Sequence, residues 1–379
     1  MFESILDCIR QKFAKAGPIA LHEPCFAGTE RSYVLECIDS TFVSSVGCYV
    51  DEFEKRVADF VGSRHAVAVV NGTQALFIAL RLVDARAQSE VITQSLTFVA
   101  TANAIAHTGA QPVFVDVDLD TLGMSPQALA AFLEIHAERR GGQTINRTTG
   151  LPIVGCVPMH TLGHPCRIAE IQAICAHYDI AVVEDAAESL GSYYNSRHTG
   201  TFGRVGIFSF NGNKIVTTGG GGMLVTDDGE LAQCAKHLTT TAKLPHRWDF
   251  VHDESGFNFR LPNLNAALGV AQMEQLNTFV YSKRRLAEEY RMDFAGLGVS
   301  FFTEPSGAKS NYWLNALLLR DETERDAFLQ FSNDRQIMTR PLWRPMHQLA
   351  MYQDCQRGPL PNTEHLYARL VNIPSSVRL

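Results

Sequence analysis

The sequence of 379 residues lacks the cysteine and charge patterns that mark several protein classes. Its nine cysteines form no C-x-x-C pair and follow no regular spacing, which argues against a disulfide framework and against a zinc site. The net charge of -7 at pH 7 arises without a long run of like charge, so neither a nucleic-acid groove nor a polybasic membrane contact is indicated. We therefore expect no bound metal, no nucleic-acid partner and a reducing compartment.

Long apolar runs, internal repeats and low-complexity linkers are also missing. The N-terminal stretch MFESILDCIRQKFAKAG carries acids at Glu3 and Asp7 and no uninterrupted apolar core, unlike a secretory signal. No other stretch has the length and apolar character of a membrane span. We expect a compact cytoplasmic protein with no membrane contact, and its hydrophobic content of 46% suffices for one large and one smaller core.

Short apolar runs alternate with helical-period segments from residue 66 onward. A mostly parallel sheet covered by helices on both faces explains continuous apolar strands of this kind, so the pattern predicts an α/β fold. The predicted helices cover residues 73–83, 97–107, 125–134 and 168–178. The predicted strands are AVAVV (66–70), EVIT (90–93), PVFVDV (112–117), IVGCVPM (153–159) and IAVVEDA (180–186).

The spacing of the predicted strands changes after Asp185. Two further strands, VGIFSF (205–210) and GMLVT (222–226), flank a glycine-rich loop, and the segment GGQTINRTTG (141–150) reads as a surface loop or short hairpin. A long helix over about 263–297 leads to a strand at 311–319 and a helix at 324–335. We predict a large domain over 1–262, including the N-terminal segment, and a smaller C-terminal α+β domain over 263–379 that begins with the linking helix.

Lys214 is the first candidate catalytic residue. The run FSFNGNK places it directly after a buried-looking strand and just before a glycine-rich stretch, and no other lysine occurs between Lys55 and this position. A lysine that bonds a carbonyl cofactor as a Schiff base must be reachable, partly desolvated and held on such a loop. A solvated surface lysine in a turn is the alternative interpretation.

Asp185 ends the strand IAVVEDA, at the edge where an α/β sheet binds ligands. A carboxylate there requires a cation or donors, and the protonated pyridine nitrogen of pyridoxal phosphate (PLP) is such a cation. A helix cap or a structural ion pair is the alternative. Glu184 should point to the opposite face and is a weaker candidate.

The strand-to-helix turn Asn71-Gly72-Thr73 offers backbone N–H groups and a helix dipole to a phosphate, although simple capping explains Thr73 equally well. The hydroxyl of Ser209 is a further candidate donor to the same phosphate. Phe98 is suited to stacking on a flat ring, but a core phenylalanine is the commoner explanation.

Glu188 and His160 also follow strands of this sheet. Either is a candidate to bond the phenolic oxygen of the cofactor or a hydroxyl of the substrate.

Five segments together resemble, in order and spacing, the sugar-nucleotide aminotransferases of the DegT/DnrJ type, over roughly residue 44 to the C-terminus. They are VNGTQALFIAL, LTFVATANAI, VVEDAAESLGS, FSFNGNKIVTTGGGGML and FNFRLPNLNAALG. Further stretches, VPMHTLGHP (157–165), TTTAKLPHRWDFVHDE (239–254) and SNYWLNALLL, resemble the branch that acts in legionaminic acid and related amino-sugar pathways.

The resemblance implies a type I PLP-dependent transferase fold with a seven-stranded, mostly parallel sheet, in a homodimer with the active site at the subunit interface. It implies that Lys214 bonds PLP, which becomes pyridoxamine phosphate during turnover, and that Asp185 pairs with the pyridine nitrogen. The other implied cofactor contacts are Phe98 on the ring, Glu188, the phosphate ligands Gly72, Thr73 and Ser209, and Asn258 from the neighbouring subunit. Glu188 stands where many relatives have Gln or His, which leaves its partner open.

The implied reaction moves an amino group from glutamate to C4 of a UDP-linked 2-acetamido-2,6-dideoxy-4-ketohexose, giving a 4-amino sugar for bacterial surface glycans. Relatives that dehydrate sugars carry His at the lysine position, so Lys214 favours transamination. A lyase or dehydratase of the same fold, and a PLP-binding regulatory protein without turnover, are the rival hypotheses. The candidate substrate contacts are Ser45, His160, Tyr312, Arg340, Trp343 and His347.

Overall fold

The computed structural model describes residues 1–13 and 17–379. Residues 14–16, which belong to the N-terminal stretch compared above with a secretory signal, lie outside the described residues. The helices of the described chain are α1 (Phe2–Phe13), α2 (Glu30–Asp39), α3 (Cys48–Val61), α4 (Gly72–Leu82), α5 (Val99–His107), α6 (Pro126–His136), α7 (Ile168–Tyr178), α8 (Gly229–Thr239), α9 (Asn263–Gly296), α10 (Glu322–Asp334) and α11 (Pro361–Tyr367).

The strands, again within the described residues, are β1 (His65–Val69), β2 (Glu90–Gln94), β3 (Gln111–Val115), β4 (Ala137–Arg140), β5 (Gln143–Asn146), β6 (Ile153–Val157), β7 (Ala181–Asp185), β8 (Tyr193–Tyr194), β9 (Arg197–His198), β10 (Val205–Ser209), β11 (Gly222–Thr226), β12 (Ser300–Phe301), β13 (Ala308–Lys309), β14 (Asn315–Leu318), β15 (Arg340–Pro341) and β16 (Leu370–Ile373).

A seven-stranded sheet in the order β1-β11-β10-β7-β6-β2-β3 forms the centre of the predicted large domain. Only β11 runs against its neighbours, β1 and β10, and the other pairs are parallel. Helices supply apolar faces on both sides, because Leu76 and Ala79 of α4 pack in one buried cluster and Ile171 of α7 packs in another. The predicted α/β fold with a seven-stranded, mostly parallel sheet is confirmed.

The C-terminal part builds a second, antiparallel sheet in the order β12-β14-β16-β15, reached through the 34-residue helix α9. The N-terminal helix α1 packs here: Ile5, Leu6 and Ile9 share a buried cluster with Phe294 of α9 and Phe328 of α10. We therefore propose that α1 belongs with the smaller domain, although the division at 262/263 grouped it with the large one.

Two local expectations change in detail. The segment 141–150 contains the turn and second strand of a hairpin, because Gly141 and Gly142 both adopt positive φ between β4 and β5. The strand predicted at 311–319 is confined to β14, since Tyr312 has a φ of 49° and interrupts an extended chain. Within the described ranges, no helix combines the length and apolar character needed to cross a membrane.

Candidate active site

One cavity of about 240 Å³ lies at the carboxyl ends of the parallel strands, where ligands bind in open α/β sheets. The loops after β1, β2, β7 and β10 each contribute to its wall. Of the residues predicted from sequence, the structure brings eight together in this cavity: Gly72, Thr73, Phe98, Asp185, Glu188, Ser209, Lys214 and Trp343.

Asp185 lies at the end of β7 in the wall of the cavity, and only 4% of the residue is exposed. The hydroxyl of Thr101 donates to Oδ2 at 2.7 Å, and the backbone N–H of Ala187 donates to Oδ1 at 3.2 Å. Burial raises the pKa of the Asp185 carboxyl, while the Thr101 bond opposes that shift. A desolvated carboxylate of this kind gains most from a cationic partner in the cavity.

Lys214 follows β10 in a turn closed by its own N–H, which donates to the carbonyl of Asn211 at 2.9 Å. Its side chain is only 12% exposed, so the interpretation as a solvated surface lysine does not hold. Nζ lies 3.2 Å from Oε1 of Glu188 and 3.9 Å from the ring centroid of Trp313. The amine is therefore held inside the cavity between a carboxylate and an aromatic face.

Glu188 is anchored by the main chain at its second oxygen, because the N–H of Leu162 donates to Oε2 at 2.8 Å. Leu162 has a φ of 58°, in the left-handed region that few non-glycine residues occupy. Burial raises the pKa of the Glu188 carboxyl to about 7, and the charge of Lys214 limits the rise. Glu188 can therefore exchange a proton with its neighbours near neutral pH.

The turn after β1 forms one end of the cavity, where it lies close to Ser209. Asn71 caps α4 by accepting from the N–H of Gln74, so the first-turn amides of Gly72 and Thr73 remain at the open helix end. A Cβ on Gly72 would lie 2.8 Å from Cβ of Ser209, so only glycine lets the helix approach this serine. Amides, hydroxyls and the helix dipole at one point suit a phosphate.

Phe98 and Trp343 form the outer wall of the cavity. Phe98 precedes α5 and is 46% exposed, which excludes the alternative of a core phenylalanine. Its ring meets that of Trp343 edge to face at 6.0 Å between centroids. Trp343 comes from the segment after β15, so the smaller sheet contributes to this wall.

Three predicted substrate contacts are engaged in structural bonds away from the cavity lining. His160 is fully buried and shares a hydrogen bond of 3.0 Å with Glu184, while its Nδ1 accepts from the N–H of Cys166. The hydroxyl of Tyr312 accepts from the N–H of Glu304. Nδ1 of His347 lies 2.8 Å from the hydroxyl of Ser95.

The remaining predicted residues also lie outside the lining in this single chain. Arg340 is exposed and bonds the carbonyl of Thr339 through Nη1, and Ser45 is half-buried. Asn258 is exposed and accepts from Nε of Arg260. Its assigned role is a contact from a neighbouring subunit, which stays a prediction.

Sequence reasoning missed several lining residues, namely Met159, Asn211, Asn213 and Trp313. Trp313 stands next to Tyr312, which the same stretch SNYWLNALLL made a candidate. The turn at Tyr312 decides which of these two neighbours faces the cavity, and the apolar pattern of the sequence does not indicate that turn. Asn211 and Asn213 both precede Lys214 within three residues, and their polarity beside a candidate lysine was a usable signal.

These side chains fit a flat cationic ring that carries a phosphate and an aldehyde. Asp185 offers the ring nitrogen a desolvated carboxylate, and Lys214 offers the aldehyde an amine. The close approach of Gly72 to Ser209 forms the end of the cavity that suits the phosphate. PLP has these three groups, and the residues present suit each of them.

Comparison with known proteins identifies the family. Residues 24–379 match the DegT/DnrJ/EryC1/StrS aminotransferase family. The chain is 37% identical over 358 residues to the GDP-perosamine synthase of Escherichia coli O157:H7, covering 94% of this chain and 93% of that protein. The GDP-perosamine synthase of Vibrio cholerae is 34% identical over 360 residues, with 94% of each chain covered.

A solved structure agrees with these relatives. The aminotransferase TlmJ from Streptoalloteichus hindustanus superposes with a TM-score of 0.85 at 29% identity, over 95% of this chain and 94% of that one. The chain therefore belongs to the DegT/DnrJ/EryC1/StrS aminotransferase family and is a PLP-dependent sugar aminotransferase.

Proposed function

We propose that this enzyme transfers an amino group from glutamate to C4 of a GDP-linked 4-keto-6-deoxyhexose, giving a GDP-linked 4-amino-4,6-dideoxy sugar. The observation that carries the proposal is the cavity in which the Lys214 amine, the buried Asp185 carboxylate and the Gly72–Ser209 approach converge. This donor set favours amino transfer over the rival dehydratase, because Lys214 supplies an amine where dehydrating relatives carry His.

PLP, when bound, supplies an electron sink and carries the amino group between the two substrates. In our proposal, Asp185 keeps the pyridine nitrogen protonated, and Thr101 holds the carboxylate in place through its 2.7 Å bond. Lys214 moves a proton to and from the reacting carbon, with Glu188 at 3.2 Å as its nearest acceptor. Phe98 covers the ring.

The nucleotide in this proposal differs from the one that the resemblance first implied. A UDP-linked acetamido sugar of the legionaminic acid branch was the expectation from sequence. Two relatives matched along nearly their whole length carry the name GDP-perosamine synthase, which supports a GDP-linked substrate. Small differences in a sugar pocket change discrimination by only ~1 to 3 kcal/mol per contact, so nucleotide and sugar must be tested directly.

We further propose a homodimer in which Asn258 of each chain reaches the phosphate of the other site. Exposed apolar side chains support a covered surface: Trp248 and Phe250, on the segment before Asn258, are each 74% exposed. Ser45 and Arg340 are proposed to contact substrate in that assembly.

We also propose that the enzyme acts in the cytoplasm. All nine cysteines are unpaired, which supports a reducing compartment.

The test is a product assay with glutamate and two sugars, GDP-4-keto-6-deoxymannose and UDP-2-acetamido-2,6-dideoxy-4-ketohexose. We expect 2-oxoglutarate and a GDP-amino sugar by mass spectrometry, with at least tenfold higher kcat/KM for the GDP substrate. The Lys214→Ala variant is the control and should form neither product. Preference for the UDP sugar would overturn the nucleotide assignment, and a dehydrated product would overturn the reaction type.

A further inference from the structure

Trp313 links the lysine to the smaller domain. It stands between β13 and β14, and only 4% of the residue is exposed. Its indole Nε1–H donates to the carbonyl of Asn213 at 2.7 Å, and Asn213 directly precedes Lys214 in the chain. The ring is therefore fixed to the same loop that carries the lysine, and it lines the cavity from behind.

Lys214 lies over the face of this ring. The 3.9 Å from Nζ to the ring centroid is well within the range at which an indole attracts an ammonium. A free lysine amine on a flexible four-carbon stem would otherwise adopt many rotamers. The aromatic face and the Glu188 carboxylate, 3.2 Å away, together confine Nζ to one side of the cavity.

The same short segment also holds Glu188. The side chain of Asn311 donates from Nδ2 to the carbonyls of Glu188 and Leu190, each at 2.9 Å. Oδ1 of Asn311 in turn accepts from the backbone N–H of Trp313 at 2.8 Å. The loop of the carboxylate and the loop of the lysine are thus tied to one another through Asn311 and Trp313.

We propose that Trp313 is a positioning residue for Lys214, holding the free amine beside Glu188 whenever it is not bonded to the cofactor. The inference rests on the part of the proposed function that makes Lys214 the PLP-bonding lysine. With PLP bound, Glu188 would take a proton from the Nζ ammonium, and Lys214 would then offer a neutral amine that condenses with the aldehyde of the cofactor with loss of one water. Nζ placed in one position reaches this step faster than a disordered amine.

The experiment follows the first-order growth of the visible absorption of the lysine–PLP bond after cofactor-free protein is mixed with saturating PLP. Confining the rotamers of a lysine side chain before the reaction is worth about 1 to 2 kcal/mol, which corresponds to a rate change of about 5- to 30-fold. We expect Trp313→Leu to be slower within that range and Trp313→Phe, which keeps an aromatic face, to stay within about 3-fold of wild type. Affinity for pyridoxamine phosphate, which forms no lysine bond, should stay within about 2-fold in both variants.

Three results would overturn the proposal. The first is a Trp313→Leu variant that bonds PLP at the wild-type rate or faster, and the second is a Trp313→Phe variant as slow as Trp313→Leu. The third is a loss of pyridoxamine phosphate affinity as large as the loss of rate, which would indicate a merely structural role. A visible band that persists in Lys214→Ala would instead remove the premise that Lys214 bonds the cofactor. No sugar is present in this assay, so its result is independent of the nucleotide assignment.

Discussion

Replacing Lys283 by methionine should stabilise the enzyme at neutral pH. Lys283 lies in α9 with its side chain fully buried, and Nζ donates to the carbonyl of Ser375. Among the ion pairs found in the described residues, none includes Lys283. Burial lowers the pKa of its ammonium from 10.5 to about 7. Because the charge is buried without a carboxylate, its removal should be favourable.

The magnitude follows from that pKa shift. A depression of about 3.5 pH units at 1.36 kcal/mol each corresponds to a burial cost on the order of 5 kcal/mol for the charged form. Loss of the bond to Ser375 leaves a buried carbonyl unpaired and costs about 1 to 3 kcal/mol. The net expectation for Lys283→Met below pH 7 is a free energy of unfolding about 2 to 4 kcal/mol higher than that of the wild type.

The pH dependence has a definite sign. Between pH 7 and 10.5 the unfolded chain binds more protons at this lysine than the folded chain does, so wild-type stability rises with pH across that window. The advantage of Lys283→Met should therefore be largest at pH 6.5 and should shrink by about 1.4 kcal/mol per pH unit above 7.

Urea unfolding at pH 6.5, 8 and 9.5 measures this advantage at fixed protein and cofactor concentrations. Lys55→Met, at an exposed position of helix α3, is the matched control and should stay within about 0.5 kcal/mol of wild type at each pH. A destabilised Lys283→Met protein at pH 6.5, or a difference that does not change with pH, would refute the argument from burial.

Two further predictions concern the cofactor site. Asp185→Asn keeps an acceptor for the Thr101 hydroxyl but removes the negative charge. Amino transfer should therefore fall by at least about 100-fold in steady-state assays, while the midpoint of urea unfolding should not drop. Near-normal turnover would contradict the role proposed for Asp185. Gly72→Ala places a Cβ 2.8 Å from Cβ of Ser209 and should weaken PLP affinity by about tenfold or more in a fluorescence titration. The control Gly212→Ala adds a Cβ that has no atom within 4 Å, so it should bind PLP normally. Equal affinities in the two variants would argue against a phosphate site at the close approach of Gly72 to Ser209.

The cofactor side of the cavity was largely predictable because its signals are local. Each predicted cofactor residue there lies at the end of an apolar strand or in the loop that follows it, and the carboxyl ends of parallel strands meet at one edge of the sheet. The alternation of side chains along β7 also placed Glu184 on the face opposite Asp185, where it bonds His160. His160 itself follows a strand as the others do, but the sequence does not show that its ring has a buried partner.

The position of α1 could not be predicted in this way. Its amphipathic pattern indicates that Ile5, Leu6 and Ile9 are buried, but such a pattern does not specify the partner surface. The partner is provided by Phe294 and Phe328, which lie about three hundred residues away in the chain. Only tertiary packing assigns this helix to the smaller sheet.

The segment before β14 illustrates the same limit at the active site. Its apolar residues read as one strand, yet the hydroxyl of Ser310 and the amide of Asn311 bond carbonyls of the large domain, at Gly163 and Glu188. These bonds require a chain reversal, and Tyr312 adopts the left-handed conformation that provides it. As a result Tyr312 bonds Glu304 while Trp313 faces Lys214. The residue that contacts the Lys214 amine is thus selected by hydrogen bonds to Gly163 and Glu188, which the periodicity of a single strand does not indicate.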